Sequence, residues 1–197
     1  MIALVDYGAG NLTSVARAFT AVGASVKVTR SKGDIVAADA VVIPGVGHFQ
    51  STTAIGDALR TALAGAAQQK PVLGICLGLQ FLFDGSDESP ECKGLGLLRG
   101  RSTPLLPSAS EKVPHVGWNT IVALRPSRLL DGVAAGTPFY FTHSYAAPVT
   151  SACVASTDYT IPFAAVVEEG NVFGTQFHPE KSGEAGLRVI RNFLDVV

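Results

Sequence analysis

A thiol that is to attack a carbonyl needs a turn that exposes it, a base that takes its proton and an acid that orients the base. Residues 70–83, KPVLGICLGLQFLF, supply the first of these. Pro71 opens an apolar run, Val72-Leu73-Gly74-Ile75, of the kind a fully buried parallel strand requires. Residues 77–83 then read as the start of a buried helix, so Cys76 falls where strand turns sharply into helix. Gly74 and Gly78 flank it at two residues on each side, giving G-x-C-x-G, the thiol version of a nucleophile elbow. Such a turn leaves no room for side chains beside the nucleophile. The helix start adds unpaired N–H groups and positive dipole, which favour negative charge on the sulfur.

Of four histidines, His178 stands in the run Gln176-Phe177-His178-Pro179-Glu180. The proline predicts extended chain, and a spacing of two places His178 and Glu180 on one side. Cys76, His178 and Glu180 thus form a predicted triad in the chain order of elbow enzymes, with the histidine late. An acyl-transfer site also needs donors for the developing oxyanion. In an elbow one comes from the residue after the nucleophile, here Leu77. The loop Gly45-Val46-Gly47 is the predicted source of the second, through the N–H groups of Val46 and Gly47. Each such donor stabilises the transition state by about 2.7–4 kcal/mol. A loop so rich in glycine is free to switch peptide orientation, which predicts a hole completed only in an activated state.

The other reactive side chains lack such context. Cys92 and Cys153 have no flanking glycines and are expected to be inert, and His48, His115 and His143 to serve packing or backbone positioning. No two histidines have zinc-ligand spacing, so neither a metal nor a cofactor is expected. Gly8-Ala9-Gly10 lacks the third glycine and the lysine of known phosphate loops and reads as a tight turn.

The elements that must position the chemistry follow a β-α-β-α rhythm. Strands are predicted at residues 2–6, 25–29, 40–43 and 72–75, with helices starting after Asn11, after the 45–49 loop and after Cys76. The second half predicts shorter strands at 97–106, 117–124, 139–142, 152–157, 163–168 and 172–176, and a last helix from residue 183. The expected fold is α/β: a three-layer, flavodoxin-like, doubly wound and mostly parallel sheet with an antiparallel extension in the second half, as one domain over residues 1–197. A charged fraction of 16% against 47% apolar residues, with a formal charge of −1, gives no electrostatic footprint for nucleic acid or an anionic membrane. Three widely spaced cysteines and a start without a basic n-region predict a reducing, cytoplasmic setting.

Six segments in order carry a resemblance: D-Y-G-A-G-N from Asp6, P-G-V-G-H-F from Pro44, G-I-C-L-G-L-Q from Gly74, P-H-V-G-W-N from Pro114, Y-F-T-H-S-Y from Tyr140 and Q-F-H-P-E-K-S from Gln176. Together they resemble the triad-type (class I) glutamine amidotransferases, and within them the glutaminase subunits of imidazole glycerol phosphate synthase. The resemblance implies hydrolysis of L-glutamine to glutamate and ammonia through a thioester on Cys76. It implies glutamine binding by Gly47, Gln80, Glu88, Ser144 and Tyr145. It also implies a heterodimer with a (β/α)8-barrel cyclase subunit, docked near Asn11, Trp118, Tyr140 and Lys181, which uses the ammonia in histidine biosynthesis. Amidotransferase subunits of anthranilate or pyridoxal phosphate synthesis share the triad but not the first and fourth segments. Cysteine peptidases with a similar elbow typically carry histidine directly after the nucleophile, where this chain has Leu77.

Overall fold

A computed structural model describes residues 1–109 and 111–197. The first half alternates: β1 (Ile2–Val5), α1 (Leu12–Ala21), β2 (Val26–Thr29), α2 (Lys32–Ala37), β3 (Ala40–Ile43), a 3-10 turn at Phe49–Ala54, α3 (Asp57–Ala67), β4 (Val72–Ile75) and α4 (Leu77–Leu82). The second half is strand-rich: β5 (Gly85–Ser86), β6 (Ser89–Lys93), β7 (Arg101–Pro104), β8 (His115–Thr120), β9 (Val122–Ala123), β10 (Pro138–His143), β11 (Tyr145–Ala146), β12 (Cys153–Tyr159), β13 (Ile161–Glu169) and β14 (Val172–Thr175). A 3-10 turn at Pro179–Lys181 and the helix α5 (Gly183–Leu194) follow.

The main sheet has the order β2-β1-β3-β4-β14-β13-β12-β9. Its first five strands run parallel and its last three antiparallel, as expected. β1, β3, β4 and β14 are buried at every position, as strands covered on both faces must be. Alternate residues feed two cores. Val41, Ile43 and Val72 pack with Ile35 of α2 and Leu63 of α3 on one face. Val42, Leu73 and Ile75 pack with Phe19 of α1 and Ile190 and Phe193 of α5 on the other.

The parallel half brings three strand ends side by side. β3 and β14 flank β4 in register, Val42 and Phe173 both opposite Leu73. The loop after β3, the elbow after β4 and the histidine turn after β14 therefore share one edge, the carboxyl ends where parallel sheets bind ligands. The ribbon β8–β10 and the short sheet β11-β7-β5-β6 are separate from the main sheet, and Thr142 and His143 of β10 and Tyr145 of β11 reach that edge, lining one cavity with Cys76. Phe139 of β10 stacks on Phe177 at 4.1 Å, and Phe141 meets both Phe163 and Phe177 edge-on. This aromatic cluster fixes the ribbon to the strand that carries His178.

Several expectations need correction. The strand expected over 97–106 is present only at Arg101–Pro104. Leu97 and Leu98 donate instead to the Leu82 carbonyl, in a loop that fills the core with apolar residues without a ladder. The segment 117–124 divides into two strands in different sheets, β8 and β9. The helix expected directly after the 45–49 loop starts only at Asp57; a 3-10 turn at Phe49–Ala54, capped by Ile55, precedes it. Helix α2 was not expected; its six residues bury only Ile35, too little for a helical period to show.

The elbow tolerates no side chain at its glycines. A Cβ on Gly78 would lie 1.8 Å from the Ile43 carbonyl oxygen, and one on Gly74 would lie 2.6 Å from the Gly78 backbone. Gly65, near the end of α3, has open space around its Cβ position. Gly78→Ala is therefore expected to cost about 3 kcal/mol or more, by overpacking against backbone. Gly65→Ala should be neutral or stabilise by about 0.4–1 kcal/mol. Urea unfolding of the two variants checks the contrast.

Candidate active site

Cys76 stands between β4 and α4 at φ +53° and ψ −106°, one of two non-glycine residues with positive φ among those described. A side chain held there stores on the order of 1–3 kcal/mol of strain and needs the surroundings to enforce it. Enforcement comes from both sides. Cys76 N–H donates to Thr175 on β14 at 2.8 Å, and the glycines let α4 lie against β3 and β4.

His178 follows β14. Its N–H donates to the Tyr140 carbonyl at 2.9 Å, and its own carbonyl accepts from the Ser182 hydroxyl at 2.7 Å. Its Nδ1 lies 2.8 Å from Glu180 Oε1. The partnership is as expected, but its cause differs: residues 179–181 form a 3-10 turn with Pro179 at its first position, not extended chain. The turn, rather than a two-residue strand period, folds Glu180 back onto the imidazole. α5 then packs so closely on the turn that a Cβ on Gly186 would meet the Pro179 carbonyl oxygen at 1.9 Å.

Both side chains are almost fully buried. His178 Nε2 and Glu180 Oε2 are two of the four buried polar side-chain atoms left without a hydrogen bond among the described residues. A buried unpartnered nitrogen on an imidazole is costly, and its neighbour is the Cys76 sulfur. Burial pulls the imidazole pKa down, but the charge and acceptor capacity of that sulfur and the Glu180 carboxylate push it up further, to about 10. The arrangement thus favours the imidazolium form of His178. In the thiol state the sulfur has the Thr142 carbonyl as acceptor at 3.8 Å.

The sulfur opens into a cavity of about 280 Å³ lined by Gly47, Cys76, Leu77, Gln80, Glu88 and Tyr145, together with Pro114, Thr142, His143 and Ser144. All five residues expected to hold glutamine are in this lining. The volume lies just below the 300–1,000 Å³ usual for small-molecule pockets, and suits one amino acid rather than a peptide. Glu88 Oε2 accepts from the Phe49 N–H at 2.7 Å, which keeps its carboxylate at the cavity.

The oxyanion donors are not assembled. Leu77 N–H points at the Gly45 carbonyl at 3.4 Å, so one predicted donor is occupied. Gly47 has φ +98° and is exposed at the cavity mouth. Tyr7 donates to the Pro44 carbonyl at 2.8 Å and anchors the loop from beneath.

This combination of elbow, buried His–Glu pair and glycine loop has counterparts among known proteins. The family model described as glutamine amidotransferase class-I matches residues 3–197. The chain belongs to this family. The imidazole glycerol phosphate synthase subunit HisH of Methanothermobacter thermautotrophicus is 50% identical to it over 199 residues, covering 100% of this chain and 99% of that protein. The subunit of the same name from Deinococcus radiodurans is 43% identical, covering 98% and 92%. The structure of PurLQS from Thermotoga maritima superimposes with a TM-score of 0.74 at 21% identity, covering 98% of this chain and 97% of that one, a likeness of fold.

In this amidotransferase the four residues expected at a docking face lie near the histidine turn. Trp118 is 57% exposed and meets Tyr140 edge-on at 6.0 Å, its partner across the ribbon. Lys181 Nζ stands 5.6 Å from the Tyr140 ring centroid. Asn11 is exposed and caps α1, accepting from Ser14 N–H at 3.2 Å, and α1 packs against the 179–181 turn. The spacing argument passed over Gln176, whose Nε2 lies 3.5 Å from Cys76 Sγ. Its only signal in the sequence was a place two residues before His178.

The raised imidazole sets a pH dependence. Unfolded, it titrates near 6.5; folded, near 10. The stabilisation from this gap is full below about pH 6.5 and is lost as pH rises through about 10. Removing the sulfur leaves burial less opposed. The unfolding free energy of wild type should therefore fall relative to that of Cys76→Ala between about pH 7 and 10. A difference that stays flat over this range speaks against the charge pair.

Proposed function

We propose that this chain is the glutaminase subunit of imidazole glycerol phosphate synthase, working with a separate (β/α)8-barrel cyclase subunit. It hydrolyses L-glutamine to glutamate and ammonia, and the ammonia passes to the cyclase subunit for histidine biosynthesis. The observation that carries the chemistry is the sulfur of Cys76 beside a buried imidazole that Glu180 holds at 2.8 Å. Full-length similarity to named subunits of that synthase, at 50% identity, carries the choice of pathway. Buried, unpaired cysteines fit a cytoplasmic setting.

Glutamine lies in the cavity with its amide carbon at Cys76 Sγ and its ammonium group toward Glu88. The thiolate attacks, and the amide oxygen becomes an oxyanion. His178 gives its proton to the departing nitrogen, so that ammonia leaves and a thioester remains on Cys76. His178, now neutral, draws a proton from water, which attacks the thioester and releases glutamate.

The blocked hole points to control of this sequence. Rotating the Gly45–Val46 peptide would turn the Gly45 carbonyl away from Leu77 N–H and bring Val46 N–H in. One rotation thus frees the first donor and supplies the second, and at 3.4 Å the bond it breaks is a weak one. Docking of the loaded cyclase is the event that drives it. Ammonia at neutral pH is mostly ammonium, with no lone pair to attack, so release without a docked acceptor is wasteful.

Cys76→Ala is expected to lower glutamine hydrolysis on the order of 10⁴-fold, while the complex still makes product from ammonium salts at alkaline pH. Glutamine turnover by wild type should be low alone and rise when the cyclase and its nucleotide ligand are added. Equal turnover in both conditions refutes the gating. Trp118→Ala, at an exposed position, should leave the fold intact and weaken association with the cyclase by about 2 kcal/mol, roughly 30-fold. Titration calorimetry reads that loss directly.

A further inference from the structure

We propose that Gln176 is a catalytic residue that donates a hydrogen bond to the Cys76 sulfur, and that His115 and His143 are positioning residues that hold it there through the Tyr145 carbonyl and Gln80. The proposal rests on Cys76 being the nucleophile.

The side chains form one continuous chain of hydrogen bonds. Asn119 Nδ2 lies 3.5 Å from His115 Nε2, His115 Nδ1 lies 3.2 Å from His143 Nε2, and His143 Nδ1 lies 2.9 Å from the Tyr145 carbonyl. That carbonyl also accepts from Gln80 Nε2 at 2.8 Å. Gln80 Nε2 lies 3.3 Å from Gln176 Oε1, and Gln176 Nε2 lies 3.5 Å from Cys76 Sγ. His115 and His143 are cross-strand partners in the β8–β10 ribbon, on the face opposite Trp118 and Tyr140. Gln80, Gln176, His115 and His143 are all buried.

Carbonyl groups and burial together fix the direction of the links. The Tyr145 carbonyl can only accept, so His143 Nδ1 carries a proton. Burial holds His143 far below the usual imidazole range, at about 3, so its Nε2 is bare and accepts from His115 Nδ1. Burial likewise keeps His115 near 4, so its Nε2 is bare and accepts from Asn119, whose amide orientation is set by the Asp158 carbonyl and the Thr120 N–H. From the other side, Gln80 uses one amide hydrogen on Tyr145 and the second on Gln176 Oε1. That leaves the Gln176 NH₂ toward the sulfur, with no choice of flip.

The chemistry follows from burial. An N–H donated to a thiolate away from water is a charge-assisted bond, stronger than the same contact in solvent. It offers the sulfur a second hold besides His178, and one that does not exchange its proton during the reaction. Two neutral histidines in series suit the far end, because a charged imidazolium there would oppose the imidazolium of His178.

Iodoacetamide alkylation of Cys76, followed by mass spectrometry on the intact chain at neutral pH, tests this without needing glutamine turnover. The loss of hydrolysis in Cys76→Ala tests the nucleophile separately. Gln176→Leu keeps length and burial and should slow alkylation about tenfold. His115→Phe keeps the stacking on Tyr159 at 3.9 Å and on Phe141 at 4.9 Å but leaves His143 Nε2 without its donor; it should slow alkylation about threefold and lower the thermal midpoint by several degrees. His115→Asn, which restores a donor at the Nδ1 position, should recover most of that loss. The double variant should react no more slowly than Gln176→Leu alone, because both substitutions cut one chain. A wild-type rate in either Gln176→Leu or His115→Phe overturns the proposal, as do failure of His115→Asn to recover and losses that multiply in the double variant.

Discussion

The structure depends on one close approach, between the backbone of the elbow and the strand beside it. Gly78 lies so near β3 that no Cβ fits against the Ile43 carbonyl, and Gly74 lies as close to Gly78. This contact lets a helix start directly above a parallel strand, and it leaves Cys76 the positive φ that lifts its side chain off the sheet. The sheet order does the rest. Because β4 lies between β3 and β14, the sulfur has the glycine loop on one side and the histidine turn on the other. No long-range search is needed to bring them together; three neighbouring strand ends suffice.

Burial then sets the electrostatics. Two of the four unpartnered buried polar side-chain atoms among the described residues belong to His178 and Glu180. The same burial has opposite results on different histidines. Where a carboxylate and a sulfur adjoin, as at His178, the imidazole is pushed up to about 10. Where burial outweighs the pull of Glu111, as at His115, or is reinforced by the neighbouring imidazoles, as at His143, it is driven down to about 4 and 3. One site therefore holds a histidine that carries charge and two that stay neutral, as a proton-transfer centre beside a fixed hydrogen-bond scaffold requires.

How much of this was legible in the sequence follows from the range of the forces involved. The elbow was legible because its glycines, cysteine and apolar run are contiguous. The parallel half was legible because strands and helices there are long enough to show a period. Helix α2 and the short strands β5 and β6 were not: each buries too few residues to leave a pattern. The pairing of His178 with Glu180 was foreseen, though a proline-led 3-10 turn makes it. The His115–His143 contact depends on the register of β8 against β10. Those strands are separated by β9 and a loop that carry no register signal, so spacing alone left both residues as packing or positioning groups.

The glycine loop is where stability and activity pull in different directions. Tyr7 fixes the Pro44 carbonyl at 2.8 Å, and a Cβ on Gly45 would clash with the Tyr7 hydroxyl, so the start of the loop is rigid. Among the described residues, the next peptide has one backbone hydrogen bond, the long contact from Leu77 N–H at 3.4 Å. A stronger bond there would block the oxyanion hole permanently, whereas no bond would leave it open whether or not an acceptor for ammonia was present. The proposed switch requires two orientations of this peptide that are similar in energy, so that a partner need supply only a small differential contact to choose between them. In that proposal the hydrogen bond from Tyr7 to the Pro44 carbonyl confines the motion to one peptide group.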